Sequence, residues 1–85
     1  MTATAGPGIS LMQDGIGHAT AAEIPMVVVD VQRDGPGVGD ATRSSQMDYM
    51  QTRWGPHGDR MTIVLSPASV HDCFWCWVSA PIGQF

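Results

Sequence analysis

The chain has 85 residues, 44% hydrophobic and only 14% charged, with a formal net charge of −4. Roughly 25% charged is usual, so this composition fits a chain that covers much of its surface, in a core or against partners. The length bounds it to one small domain or part of a larger one. Its four basic residues, Arg33, Arg43, Arg53 and Arg60, are evenly scattered, which excludes a clustered nucleic-acid surface.

No apolar run approaches the roughly 18 residues of a membrane span. The start, MTATAGPG, has neither the basic nor the apolar region of a secretory signal. Two cysteines do not make a disulfide framework. A cytoplasmic setting is the expectation.

Residues 2–7 read as a turn or loop leading into Gly6-Pro7-Gly8. Ile9, Leu11, Met12, Ile16, Ala19 and Ala22 then approximate one helical face and predict a helix over 8–22. Gly15 and Gly17 weaken that helix by up to about 1 kcal/mol each relative to alanine, which suggests close approach of another element. Pro25 blocks helix continuation and makes Ile24 extended. The valine-rich run over 26–31 suits a strand covered on both faces, as in a parallel sheet.

Glycine density makes residues 32–43 a loop. Ser44 or Ser45 can cap a helix over 45–53, with Met47 and Met50 on one side. WGPHGDR, 54–60, is a second loop, and MTIVL, 61–65, a second strand. Ser66-Pro67 has the form of a cap followed by proline at the first helical position. The order helix, strand, helix, strand, helix predicts an α/β layer with a parallel sheet. Two strands cannot cover three helices, so the sheet is expected to be completed by other material, and the isolated chain to be marginally stable.

Arg33 stands at the carboxyl end of the valine strand, where ligands bind in open parallel sheets. Its planar fork of donors matches a carboxylate or phosphate, and the GPGVG loop beside it is bare enough for close approach. A surface arginine paired with Asp30 or Asp34 is the plainer alternative. The TAGPG segment before the first helix could present backbone N–H groups to a ligand, or be a tight turn only. His57 is a loop histidine that could act as base or ligand. Glu23 sits at a helix end, where the dipole disfavours an acid, and calls for a local donor. Cys73-Phe74-Trp75-Cys76 is a CxxC, but it lies too deep in its helix for dipole activation of a thiol. His71, Cys73 and Cys76 offer three zinc ligands where a structural site wants four.

In order, TATAGPGISLMQDGIG, AEIPMVVVDVQRDGPGVGDATRSSQMDYMQTRWGPHGD and IVLSPASVHDCF resemble the alpha subunit of the 2-oxoacid:ferredoxin oxidoreductases. That family's pattern reads TSGPG-x-SLM, EIP-VV-QR-GPG-G, Q-D, HGD and LSP-SV-E-CF. The resemblance implies an α/β fold: a partial three-layer parallel-sheet domain, the pyrimidine-binding domain of a thiamine-diphosphate enzyme, over residues 1–74. It implies oxidative decarboxylation of a 2-oxoacid, with electrons passing through iron–sulfur clusters to ferredoxin and the acyl group to coenzyme A. Arg33 would bind the substrate carboxylate, and Gly6, Pro7 and Gly8 would lie near the cofactor.

The same resemblance places the diphosphate and its Mg2+ on a partner beta subunit and the iron–sulfur clusters on other chains or domains. It assigns no catalytic residue and no metal ligand here, because the family's glutamate lies upstream of the TSGPG segment. Members often read GPSTGLPTR where this chain reads GPGVGDATR. After HDCF the chain reads WCWVSAPIGQF, and residues 75–85 are expected to be a divergent apolar tail, of the kind a frame shift produces. The isolated chain is expected to be inactive. Two rival readings are a non-catalytic assembly or binding fragment and a thiol redox protein.

Overall fold

The computed structural model describes residues 1–80. Its order is β1 (Thr2–Thr4), α1 (Pro7–Leu11), α2 (Gln13–Ala21), β2 (Val28–Asp30), α3 (Tyr49–Trp54) and α4 (Val70–Ser79). β1 and β2 form a two-stranded parallel sheet with Thr2 opposite Val28, Ala3 opposite Val29 and Thr4 opposite Asp30. The two helices between them make the crossover that parallel strands require. The expected α/β class and a parallel sheet are therefore present, but the strand paired with the valine run is Thr2–Thr4 and not the expected 61–65.

Several boundaries differ from the sequence expectations. Residues 2–4 pair as a strand rather than forming a loop. The single helix over 8–22 is two helices, broken at Met12, whose N–H is shared between the Gly8 and Ile9 carbonyls at 3.2 Å each. Ile9 and Ala19 of the predicted face are buried, but Leu11 is 87% exposed. A Cβ on Gly17 would make an ordinary 3.7 Å contact with Pro56, and one on Gly15 would meet nothing, so neither glycine is required by crowding.

The helix expected over 45–53 starts later. Asp48, not Ser44 or Ser45, precedes it, and Met47 and Met50 are exposed. Residues 61–65 show the alternating exposure of an extended segment, yet carry no strand assignment. A strand is defined by its ladder, and this segment has no ladder partner among the described residues. The last helix begins three residues after Ser66-Pro67. Ser69 Oγ accepts the Asp72 N–H at 3.1 Å, the side-chain cap of α4. The serine and the acidic residue three positions on are the two ends of a capping-box spacing. Of the expected 75–85 tail, residues 75–79 are helical and the part from 81 onward lies outside the described residues.

Ile9 is fully buried and, with Ala19, forms the apolar core of the described residues. The accessible surface is 6316 Å², against about 4,900 Å² for a folded monomer of this mass. Met61 is 91% and Val70 90% exposed. Among the described residues, no helix is long and apolar enough to cross a membrane.

α2 ends in a Schellman turn. The Glu23 N–H donates to the Thr20 carbonyl at 3.2 Å and the Ile24 N–H to the Ala19 carbonyl at 2.8 Å. The turn holds Glu23 at φ 56, where glycine is favoured. No donor reaches the Glu23 carboxylate among the described residues, so its expected local partner is missing. Glu23→Gly should raise stability by about 1 kcal/mol, since the left-handed penalty on a residue with a Cβ is removed. A denaturation midpoint equal to or below that of the unaltered chain would contradict this account of the turn.

Candidate functional site at the carboxyl end of the strand pair

Parallel pairing makes both strands end on the same side. The Val31 N–H donates to the Thr4 carbonyl at 2.9 Å, which closes the ladder. Beyond it, one chain turns through Ala5 and Gly6 into α1, and the other continues through Gln32 to Arg33. The Gly8 N–H donates to the Ala5 carbonyl at 3.0 Å and the Ile9 N–H to the Gly6 carbonyl at 3.1 Å. Pro7 opens α1, where its missing N–H costs nothing.

Gly6 is buried and caps α1 at φ 48, ψ −112, a conformation open to glycine. A Cβ there would lie 2.8 Å from Arg33 Nε and 3.1 Å from Arg33 Cγ. The Arg33 side chain therefore rests on the bare face of the Gly6 turn. Arg33 is half-buried, and its Nε is buried with no hydrogen-bond acceptor. Gly8 is also closely covered: a Cβ would fall 1.8 Å from Thr4 Oγ1. The structure thus brings Arg33 onto Gly6, the first residue of Gly6-Pro7-Gly8, across the helix pair and β2 that separate them in sequence.

Behind Arg33, the 34–43 loop closes on itself. The Asp34 N–H donates to the Arg43 carbonyl at 3.0 Å, and Asp40 Oδ1 accepts the Thr42 N–H at 3.2 Å and hydroxyl at 2.9 Å. Gly39, at φ 59, passes so near the Asp34 carbonyl that a Cβ would be 2.1 Å from its oxygen. Gln32 Oε1 accepts the Asp48 N–H at 3.1 Å, and Asp30 Oδ2 accepts the Thr52 hydroxyl at 3.4 Å. Burial pushes the Asp30 carboxyl above its ordinary value, the nearby Asp48 charge adds to this, and the Thr52 hydrogen bond opposes it. The Gln51 side chain donates to Ser10 Oγ at 2.6 Å, fastening α3 to α1.

The remaining sequence candidates lie elsewhere. His57 is exposed and lines a hollow of about 690 Å³ with His18 and Asp59, which includes neither Gly6 nor Arg33. A second hollow, of about 630 Å³, lies beside β2 among Ile16, Ala19, Ile24, Val28, Met61 and Ile63. Cys73 is exposed, Cys76 half-buried, and both are free thiols. His71 is engaged on its own helix: its Nε2 accepts the Trp75 indole N–H at 2.8 Å. Among the described residues, no three His, Cys, Asp or Glu side chains are grouped to hold a metal. Sequence reading passed over Asp48 and the Gln32 side chain. The signal was present, since Gln32 adjoins Arg33 and Asp48 closes the Q-x-D at 46–48.

Comparison with known proteins bears on the same residues. Residues 1–81 match the family model described as pyruvate flavodoxin/ferredoxin oxidoreductase, thiamine diphosphate-binding. The 2-oxoglutarate synthase subunit KorA of Methanothermobacter marburgensis is 58% identical over 74 residues, 87% of this chain and 20% of that protein. The subunit of the same name from Archaeoglobus fulgidus is 52% identical over 80 residues, 94% of this chain and 23% of that protein. The ketoisovalerate oxidoreductase subunit VorB of Methanothermobacter thermautotrophicus is 49% identical over 73 residues, 85% of this chain and 20% of that protein. The chain thus spans about a fifth of the length of these curated relatives. No solved structure matches it. With its match running from the first strand through the last helix, the chain belongs to the thiamine-diphosphate-binding family of the pyruvate flavodoxin/ferredoxin oxidoreductases.

Proposed function

We propose that the chain is part of the alpha subunit of a 2-oxoacid:ferredoxin oxidoreductase and forms the pyrimidine side of its thiamine diphosphate site. The observation that carries this reading is the meeting of the Gly6 turn with Arg33, whose Nε is buried and lacks an acceptor. A turn without side chains admits a flat ring, and a guanidinium fork beside it suits a carboxylate. The residues present fit that part of the cofactor site.

Bound there, thiamine diphosphate would supply an electron sink for cleavage of the bond between the carboxylate and the carbonyl of a 2-oxoacid. Arg33 holds and orients the carboxylate. Gly6, Pro7 and Gly8 keep the approach clear, and buried Ile9 fixes α1 behind them. Relatives named for 2-oxoglutarate and for ketoisovalerate suggest that Arg33 reads the 2-oxo carboxylate common to both. A beta subunit holds the diphosphate and Mg2+. Iron–sulfur clusters, ferredoxin and coenzyme A complete the reaction on other chains or domains, in the cytoplasm. Residues 1–74 are then part of a larger three-layer pyrimidine-binding domain, with 75–85 an apolar tail.

A non-catalytic assembly role is the second reading, favoured by the surplus of exposed surface and by the bare apolar face of α4. Equilibrium dialysis of thiamine diphosphate with Mg2+ against the chain co-purified with a beta subunit separates the two. Saturable binding that neither component shows alone is expected. A stable complex that binds no cofactor would leave the assembly role in its place.

A further inference from the structure

Arg33 stands on a stretch of backbone that the sheet no longer holds. The Val31 N–H makes the last bond to β1, and the Asp34 N–H already belongs to the loop behind. Among the described residues, one hydrogen bond holds Gln32 or Arg33: Gln32 Oε1 accepts the Asp48 N–H at 3.1 Å. Asp48 is buried and immediately precedes α3. The segment carrying the arginine is therefore anchored to the start of that helix by a neighbouring side chain.

The other side of the site is fastened to the same helix. α1, which continues the Gly6 turn, has five residues and is too short to keep an orientation by itself. Gln51 Nε2 donates to Ser10 Oγ of α1 at 2.6 Å. The Gln51 carbonyl accepts from Gln13 Nε2, at the start of α2, at 3.4 Å. Asp48 and Gln51 are three residues apart, about one helical turn. The Thr52 hydroxyl adds a bond to Asp30 Oδ2, at the end of β2, at 3.4 Å.

We propose that α3 is the spacer that sets the gap between Arg33 and the Gly6 turn, and that Gln32 and Ser10 are the positioning residues that attach the two sides to it. Both act through Arg33 and the turn rather than by touching a ligand. Cutting the Gln32 tie leaves the arginine on free backbone. Cutting the Ser10 tie lets α1 shift against α3. In either case the guanidinium and the turn lose their fixed separation.

The catalytic meaning of this spacing rests on the function proposed above; the spacing itself does not. Its direct test is hydrogen exchange at the arginine Nε–H groups, followed by NMR on the full chain. Arg33 Nε and Arg60 Nε are both buried without an acceptor. Arg60 donates to the Thr52 carbonyl of α3 at 3.5 Å and serves as the internal reference. Gln32→Leu keeps the bulk and removes the acceptor. It should speed exchange at Arg33 about tenfold and leave Arg60 unchanged. Ser10→Ala should act in the same direction, and Ser10→Thr, which keeps the hydroxyl, should restore slow exchange.

Kinetics of the assembled enzyme give the second readout. Gln32→Leu should lower kcat/KM for a 2-oxoacid about tenfold, as misplacement of a binding group does. In an Arg33→Ala background the same substitution should have almost no further effect. Unchanged Arg33 exchange in Gln32→Leu would overturn the proposal. So would equal acceleration at Arg33 and Arg60, which would mean that Gln32 supports the fold as a whole. An undiminished kinetic effect without Arg33 would overturn it as well. Selective acceleration at Arg33, in a protein whose Arg33→Ala enzyme is fully active, would uphold the spacing and remove only the function proposed for the arginine.

Discussion

Arg33→Ala should lower kcat/KM for a 2-oxoacid by about 10²-fold or more in the assembled enzyme. Hydrogen bonds to charged groups contribute about 1.5–3 kcal/mol each, and an arginine fork can make two to one carboxylate. At about 1.4 kcal/mol per factor of ten, one such bond nearly reaches that loss and two exceed it. The Nε that rests on Gly6 is already desolvated and has no competing acceptor to give up. Arg33→Lys keeps the charge but not the planar fork, and should recover only about a tenth of the lost efficiency. If the carboxylate is held equally before and during reaction, the change falls on KM; if the grip tightens as the bond breaks, kcat falls as well. Steady-state rates at one fixed ionic strength decide this. An Arg33→Ala enzyme with undiminished kcat/KM would show that the arginine is a surface residue after all.

Gly6→Ala should strike both the fold and the site. At φ 48, ψ −112 the backbone is in a region essentially reserved for glycine, and a residue with a Cβ there costs about 1–3 kcal/mol. The added methyl would also stand 2.8 Å from Arg33 Nε, so the guanidinium must leave its resting place. A loss of thermal stability together with at least a tenfold fall in kcat/KM is the expected pair of results. The two parts separate in a double-mutant cycle with Arg33→Ala. Once Arg33 is truncated, Gly6→Ala has no arginine left to displace, so its further effect on kcat/KM should nearly vanish while its effect on stability persists. Fully additive kinetic effects would mean that the glycine and the arginine do not act through their contact.

Where Arg33 leaves the sheet was more legible than the architecture around it. A valine run ending in Gln32-Arg33 and glycines leaves little choice about where the arginine emerges, because strand ends are set by composition. That Gly6 would be its neighbour followed from no local pattern, since it depends on β1. Three residues, Thr2-Ala3-Thr4, are too few to show a period, and their strand exists only by pairing with residues 26 positions away. The MTIVL segment fails in the opposite sense. It has the composition of a strand and the alternating exposure of one, but no ladder among the described residues. For α4 the two serines compete, and the helix takes the one whose side chain can reach the N–H three residues on. Asp48 could be placed in a motif but not in the interior: its burial is a property of where α3 docks, not of its own sequence.

The 61–65 segment, without a ladder among the described residues, bears on how strands can be added to this sheet. It is extended and uncharged, rich in residues that favour strands, and much of it faces solvent. The two-stranded sheet beside it has open edges of its own. Surfaces of this kind pair with whatever strand arrives first, including another copy of themselves. Self-association rises with the square of concentration, whereas capture by a partner rises with the product of two. Where a partner strand is supplied, its concentration relative to the chain therefore sets how much of the open edge pairs with itself.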